Sequence, residues 1–287
     1  MRKPHFDKTA ILGVGLIGAS LALSLRKNAL TDRIIGFGRK EKNLKRAIKK
    51  GIIDAYELDP ARASEGADLV VLATPVGMFI ELLKKIKPAL KSSAMVIDVG
   101  SVKGDLVHEM ERLMPEGASF AGCHPIAGSD RSGIDAASEN LFRGALAIVT
   151  KTAKTPKRAF KTAQSLWQSV GADVRTMSPE EHDRVYALVS HLPHLAAYAL
   201  VNAVADEDES VLSFAGQGFR DTTRVAGSSP EMWRDISMAN RENLIKFLDA
   251  FKKNIDKLSK LLKKGDTAAI LREFERAKKI REKLDRR

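Results

Sequence analysis

The sequence predicts a doubly wound parallel α/β sheet followed by an all-α C-terminal region. Three observations carry this. Short apolar runs alternate with helical stretches up to about residue 150. The turn Gly13-Val14-Gly15-Leu16-Ile17-Gly18 joins the first apolar run to the first helical stretch. Beyond Ser178 strand-like runs stop, and apolar residues recur at three- and four-residue steps, the spacing of one helix face.

Strands are predicted at 10–14, 34–37, 69–73, 95–99 and 145–149, with a short one at 120–122. Helices are predicted at 17–27, 43–50, 78–90 and 103–114. The runs are continuous rather than alternating, so both faces of the sheet are covered and the strands are parallel. A helix at 155–170 and a short strand at 173–176 complete the first domain, 1–177. In the second, 178–287, Ser178 caps a helix opened by Pro179. An apolar helical region then runs to about 205 with a kink at Pro193, and 206–209 is an acidic break. From Glu231 the chain is helical. Leu244, Phe247, Phe251, Ile255 and Leu262 form one stripe, Gly265-Asp266 breaks the run, and Ile270, Phe274 and Ile280 form another. Two helices so joined cover each other only in part, so this all-α C-terminal domain is expected to form a homodimer.

Composition narrows the function. The chain has 287 residues, 44% of them hydrophobic, enough for two domains. A single cysteine, Cys123, excludes an intrachain disulfide framework and fits a reducing, cytoplasmic compartment. The formal charge of +12 raises nucleic-acid binding, but Lys and Arg are scattered. The densest group (Lys252, Lys253, Lys257, Lys260, Lys263, Lys264) alternates with Leu and Ile as the wet face of an amphipathic helix. No nucleic-acid partner is expected, and a positive field suits small anionic ligands. Arg2, Lys3 and Lys8 before the uncharged stretch 9–25 superficially resemble a signal peptide. Three glycines at a functional spacing, no cleavage site, and a length short of a bilayer span argue for strand, turn and helix instead, and against a membrane partner.

The G-x-G-x-x-G pattern follows a strand and opens a helix, the context of a Rossmann dinucleotide-binding turn. Gly13 permits the turn, Gly15 lets backbone approach a pyrophosphate, and Gly18 packs helix on strand. Leu16 and Ile17 supply the helix N-terminus and its N–H groups. Thr74, just past the third strand, joins the cofactor set. About 20 residues beyond Gly18, an NAD site carries an acidic residue for the ribose hydroxyls. Here Gly38 is followed by Arg39 and Lys40. Two cations suit a 2′-phosphate, so NADP is the preferred cofactor; Arg39 stacked on adenine would leave NAD usable.

Three later groups are more specific. They are Asp98-Val99-Gly100-Ser101-Val102-Lys103; Gly122-Cys123-His124-Pro125-Ile126-Ala127-Gly128-Ser129-Asp130; and Ser190-His191-Leu192-Pro193-His194, with Gly218–Arg224 and Met232-Trp233-Arg234-Asp235 after it. In this order, with the glycine turn, the whole chain resembles the prephenate dehydrogenase/arogenate dehydrogenase (cyclohexadienyl dehydrogenase) family. The resemblance implies oxidative decarboxylation on the route to tyrosine, with hydride passed to NAD(P)+ and no metal. It implies that His124 accepts the ring hydroxyl proton, as an imidazole titrating near neutrality can. Ser101 would bond the same hydroxyl and orient His124; its alternative is an N-cap for the helix near Lys103. Lys103 itself reads as a first-turn surface residue. His191 would reach the substrate pocket or be a satisfied buried histidine, and His194 could share its helix face. Arg224 is the expected carboxylate clamp, with Arg220 paired locally to Asp221 and Trp233 in the core. Asp130 would flank the substrate and bear on prephenate against arogenate. No regulatory or chorismate mutase domain is expected. Two rivals remain: another two-domain NADP-dependent hydroxy-acid or imine dehydrogenase, and a non-catalytic NADP-binding redox sensor.

Overall fold

A computed structural model describes residues 3–128 and 133–284. Its first half is built on β1 (Phe6–Leu12), α1 (Leu16–Lys27), β2 (Thr31–Phe37), α2 (Glu41–Lys49), β3 (Ala55–Glu57) and α3 (Pro60–Ser64). These are followed by β4 (Leu69–Leu72), α4 (Phe79–Ile86), β5 (Met95–Asp98), α5 (Gly104–Leu113) and β6 (Ser119–Ala121). The six strands pair in the order β3-β2-β1-β4-β5-β6, all parallel. Strand residues alternate between two cores. Ile11, Val71 and Ile97 pack with Leu21, Leu44 and Leu166 on one face. Ala10, Leu12, Val70 and Val96 pack with Ala63, Leu83 and Val107 on the other. A sheet covered twice needs apolar side chains at every position, hence the unbroken runs.

The chain then leaves this sheet. β7 (Cys123–Ile126), β8 (Leu146–Thr150), α6 (Lys157–Ser169) and β9 (Asp173–Met177) follow. They form a second sheet, β7-β8-β9, with β7 antiparallel to β8 and β8 parallel to β9. The strand expected at 145–149 therefore belongs to a separate, mixed sheet. His124 lies within β7, not at the end of the preceding strand. Apolar run length carries no information about which sheet a strand joins.

The helices after β9 begin with α7 (Pro179–Tyr186), which Ser178 caps by accepting from the Glu181 N–H at 3.1 Å. A π-helical turn, Ala187–His191, leads into α8 (Leu192–Asp208). Pro193 sits in the first turn of α8, so the missing proline donor is absorbed by a widened turn at the expected kink. α9 (Gln217–Thr223) and α10 (Pro230–Ala239) close a compact unit that ends at Asn240. A second unit begins at Arg241 and holds α11 (Arg241–Lys264) and α12 (Thr267–Arg281). Gly265 takes φ +65° between them, and the Asp266 carboxylate caps α12 by accepting from Ala269 N–H at 2.9 Å. Lys257 and Glu273 pair at 2.5 Å across the two helices.

Candidate active site

The glycine turn lies at the carboxyl end of β1. Gly13 holds φ +113°, and a Cβ there would come within 2.5 Å of the Ala73 carbonyl. A Cβ on Gly18 would lie 2.2 Å from the Gly13 oxygen, so α1 sits on the turn as the motif requires. Among the described residues, a Cβ on Gly15 would meet nothing within 4 Å: the space beside it is open. A cavity of about 320 Å³ fills that space, walled by Gly13, Gly15, Gly38, Arg39, Lys40 and Thr74. Leu16, Ile17 and Gly18 do not line it; they build the first turn of α1. Asn43, Pro75 and Met78, which the motif does not point to, do line it.

At the carboxyl end of β5, Asp98 is buried and organises the next loop. Its Oδ1 accepts from Cys123 N–H at 3.0 Å, tying β7 to this edge of the parallel sheet. Its Oδ2 accepts from Gly100 N–H at 2.9 Å and from Lys103 Nζ at 2.7 Å. Lys103 is wholly buried and also donates to the carbonyls of Gly100 (2.7 Å) and Val102 (3.1 Å). The expectation of a surface lysine is wrong: its ammonium is consumed inside the loop, with a buried carboxylate as counter-charge. Burial raises the Asp98 carboxyl, and Lys103 opposes the rise. Ser101 is half-buried within this loop, and it does not cap α5; Lys103 holds the N-cap position without a side-chain bond.

His124 is part-buried on β7. Its Nδ1 lies 2.8 Å from Nε2 of His182, and Nδ1 of His182 lies 2.8 Å from Oδ1 of Asp183. Tyr186, one turn on along α7, meets both rings, edge-on to His124 at 4.9 Å and tilted to His182 at 4.5 Å. Burial pushes His124 well below the usual histidine range, with His182 and the Lys103 charge adding to it. Burial likewise pushes His182 down to about 2 and Asp183 up to about 6. All these rings are therefore neutral at neutral pH. Neither His182 nor Asp183 was singled out from the sequence. Their only signal, a His-Asp pair three residues past Pro179, also fits the first turns of any capped helix.

His191, at the start of the α8 region, is buried and its Nδ1 meets Asn240 Nδ2 at 3.2 Å, while among the described residues its Nε2 has no hydrogen bond within ordinary geometry. Burial holds it down to about 4, against the pull of Asp183 and the Ser101 backbone. His194 stacks on Trp233 at 3.6 Å and His191 meets the same indole edge-on at 5.8 Å. Trp233 is buried in the core, as expected, and both histidine rings pack on it. Burial also lowers His194, and the Arg224 charge beside it adds to the effect. Arg224 follows α9 in a 3-10 turn. The expected Arg220–Asp221 pair does not form: Arg220 donates to the Ala215 carbonyl and Asp221 accepts from Gln217. Asp130 lies outside the described residues.

A phosphate-binding turn at the carboxyl edge of a parallel sheet, with a neutral histidine network at the same edge, defines a dinucleotide-dependent oxidoreductase. Comparison with known proteins narrows this. Residues 21–176 match the nucleotide-binding domain of prephenate dehydrogenase and residues 178–276 its dimerization domain. The chain is 36% identical to prephenate dehydrogenase of Bacillus subtilis (strain 168), over 97% of this chain and 76% of that protein. It superposes on prephenate dehydrogenase from A. aeolicus, solved with hydroxyphenyl propionate and NAD+, with a TM-score of 0.91 and 37% identity, covering 97% of this chain and 98% of that one. It superposes on Synechocystis arogenate dehydrogenase with a TM-score of 0.80 and 31% identity, covering 96% and 99%. The chain belongs to the prephenate dehydrogenase family.

Proposed function

We propose that this protein oxidatively decarboxylates prephenate or arogenate, giving 4-hydroxyphenylpyruvate or tyrosine. The observation that carries this is His124: a neutral imidazole with one nitrogen engaged by His182, at the carboxyl edge of the sheet that bears the glycine turn. The dinucleotide, when bound, supplies the hydride acceptor. His124 takes the proton of the ring hydroxyl as the hydride leaves, and the ring carboxylate departs as carbon dioxide. Aromatisation supplies driving force, so neither a metal nor a strong acid is required of the protein. Ser101 bonds the same hydroxyl, His191 and Asp130 border the substrate, and Arg224 holds its side-chain carboxylate. The labour divides at 177/178, with nucleotide binding and the proton-accepting His124 before it, and the carboxylate clamp Arg224, His191 and dimerisation after it. The enzyme works in the cytoplasm.

Arg39 and Lys40 on the cavity wall favour NADP over NAD. A well-placed guanidinium on a 2′-phosphate contributes about 1.5–3 kcal/mol, or roughly ten- to a hundredfold. The test is absorbance at the reduced-nicotinamide band with prephenate and arogenate, each with NAD and NADP. We expect turnover of at least one substrate and a higher kcat/KM with NADP, reversed in the double variant Gly38→Asp, Arg39→Ala. No turnover of either substrate would overturn the reaction. Equal values, or a preference for NAD, would overturn the cofactor reading alone.

A further inference from the structure

The reaction asks for one nitrogen of His124 to be bare and the other to be fixed. The hydrogen bonds behind it determine which. Asp183 Oδ1 accepts from the backbone N–H of Lys103 at 2.7 Å, and an amide can only donate. At pH 7.5 Asp183, raised only to about 6, is a carboxylate and can only accept, so His182 Nδ1 must carry the proton of the 2.8 Å bond between them. A neutral His182 then has a lone pair on Nε2. The 2.8 Å contact from His182 Nε2 to His124 Nδ1 can be a bond only if His124 Nδ1 is protonated. The remaining nitrogen, Nε2 on the far edge of the ring, is left with its lone pair.

Resting on the reading that His124 takes the hydroxyl proton, we infer that His182 and Asp183 are positioning residues that hold His124 in its Nδ1–H tautomer and so present Nε2 as the proton acceptor. Neither residue touches the reacting atoms; both act through His124. The surroundings keep the chain of bonds from slipping. His182 has no exposed surface and Asp183 is 4% exposed, so no water competes for either end. Asn240 Nδ2 donates to the Asp183 carbonyl at 2.8 Å and pins its backbone. Asp183 also stands over the N-terminus of α5, where a Cβ on Gly104 would come 2.6 Å from its Oδ2. That helix end favours the carboxylate and thereby the donor role of His182. The low affinity of the buried His182 for a second proton removes the one state in which its Nε2 could donate instead.

The tautomer can be read without any substrate. In the full-length protein labelled with 15N-histidine, long-range 1H–15N spectra distinguish protonated from bare ring nitrogens, and His124→Asn and His182→Gln assign the signals by omission. The expected result at pH 7.5 is a protonated Nδ1 and bare Nε2 on both His124 and His182. A protonated Nε2 on His124 overturns the inference. Two variants test the link to catalysis. Gln at 182 keeps one donor and one acceptor, so His182→Gln should preserve the His124 tautomer and most of kcat. His182→Phe removes both; His124 should then populate both tautomers, and kcat should fall about 10²-fold while KM changes little. A His182→Phe protein with the Nδ1–H tautomer and wild-type kcat would overturn it, and if that variant does not fold, the wild-type spectrum and His182→Gln still decide. If prephenate and arogenate both prove inert while the tautomer is as stated, the proposed reaction fails and the positioning stands.

Discussion

Lys103 was the residue most misread from sequence, because a lysine opening a helix is usually wet. Its position is decided instead by Asp98, five residues back at the end of a buried strand, where a carboxylate needs a counter-charge. Removing one partner of a buried pair leaves the other uncompensated, which costs about 3–5 kcal/mol. Lys103→Met should therefore lower stability by about that amount in urea titrations. It should also disturb the bond that ties Cys123, and with it His124, to the sheet. A loss under about 1 kcal/mol would mean that the pair is dispensable.

At the scale of elements, the join between β1 and α1 separates two uses of glycine. A Cβ on Gly18 collides with the Gly13 oxygen at 2.2 Å and touches Ile11 at 3.0 Å, so α1 must move. Gly18→Ala should cost about 1–3 kcal/mol and weaken dinucleotide binding. At Gly15 no described residue lies within 4 Å of such a Cβ, so Gly15→Ala should fold as well as wild type and lose only dinucleotide affinity. Equal stability losses in the two variants, measured by urea midpoint with binding by fluorescence titration, would refute the distinction. This join was legible because a motif with fixed spacing encodes it locally. The parallel sheet was legible because double burial writes itself as unbroken apolar runs. The mixed sheet of β7, β8 and β9 was not, since pairing partners far apart in sequence leave no local mark. Nor was the link from His124 to His182, which joins residues 58 positions apart. The helix faces make a further prediction. On α11 and α12, Ile255, Leu262, Leu271, Phe274 and Ile280 are each at least half exposed. The segment Pro179–Phe214 is apolar enough by length and composition to cross a membrane, yet only 17% of its most apolar window is buried. A second copy covering such faces explains both, as the match to a dimerization domain leads one to expect. Light scattering at micromolar concentration should give a dimer mass, and Leu271→Glu with Phe274→Glu should shift it toward monomer. A monomeric wild-type protein would sink this reading.

For the whole molecule, burying so many titratable rings makes stability depend on pH, and the sign follows from proton counts. Below an unfolded pKa of about 6.5, an exposed histidine binds a proton that His182 (folded value about 2) and His191 (about 4) refuse, and His124 refuses it as well. The unfolded chain thus binds more protons, and stability is lost as pH falls from 6.5 toward the folded values. Asp183 runs the other way. Its carboxyl is raised from 3.8 to about 6, so as pH falls from 6 to 4 the folded protein takes up a proton that the unfolded chain does not, and stability is regained. With His194 also held low and the Asp98 carboxyl also raised, four histidines stand against two carboxylates, which leaves a net loss on the order of 1.4 kcal/mol per pH unit for each uncompensated proton. Carboxylates held low, such as Glu180 at about 2, add to the loss only below about pH 4.5, where an unfolded glutamate begins to protonate. Urea midpoints should therefore be flat from pH 8 to about 7, then drop steeply between pH 6.5 and 5. Because His182→Gln removes one of the four refusing rings, that variant should show a shallower drop over the same interval. A wild-type midpoint unchanged down to pH 5 would mean that these rings accept protons in the folded protein, and the neutral relay behind His124 would fall with it.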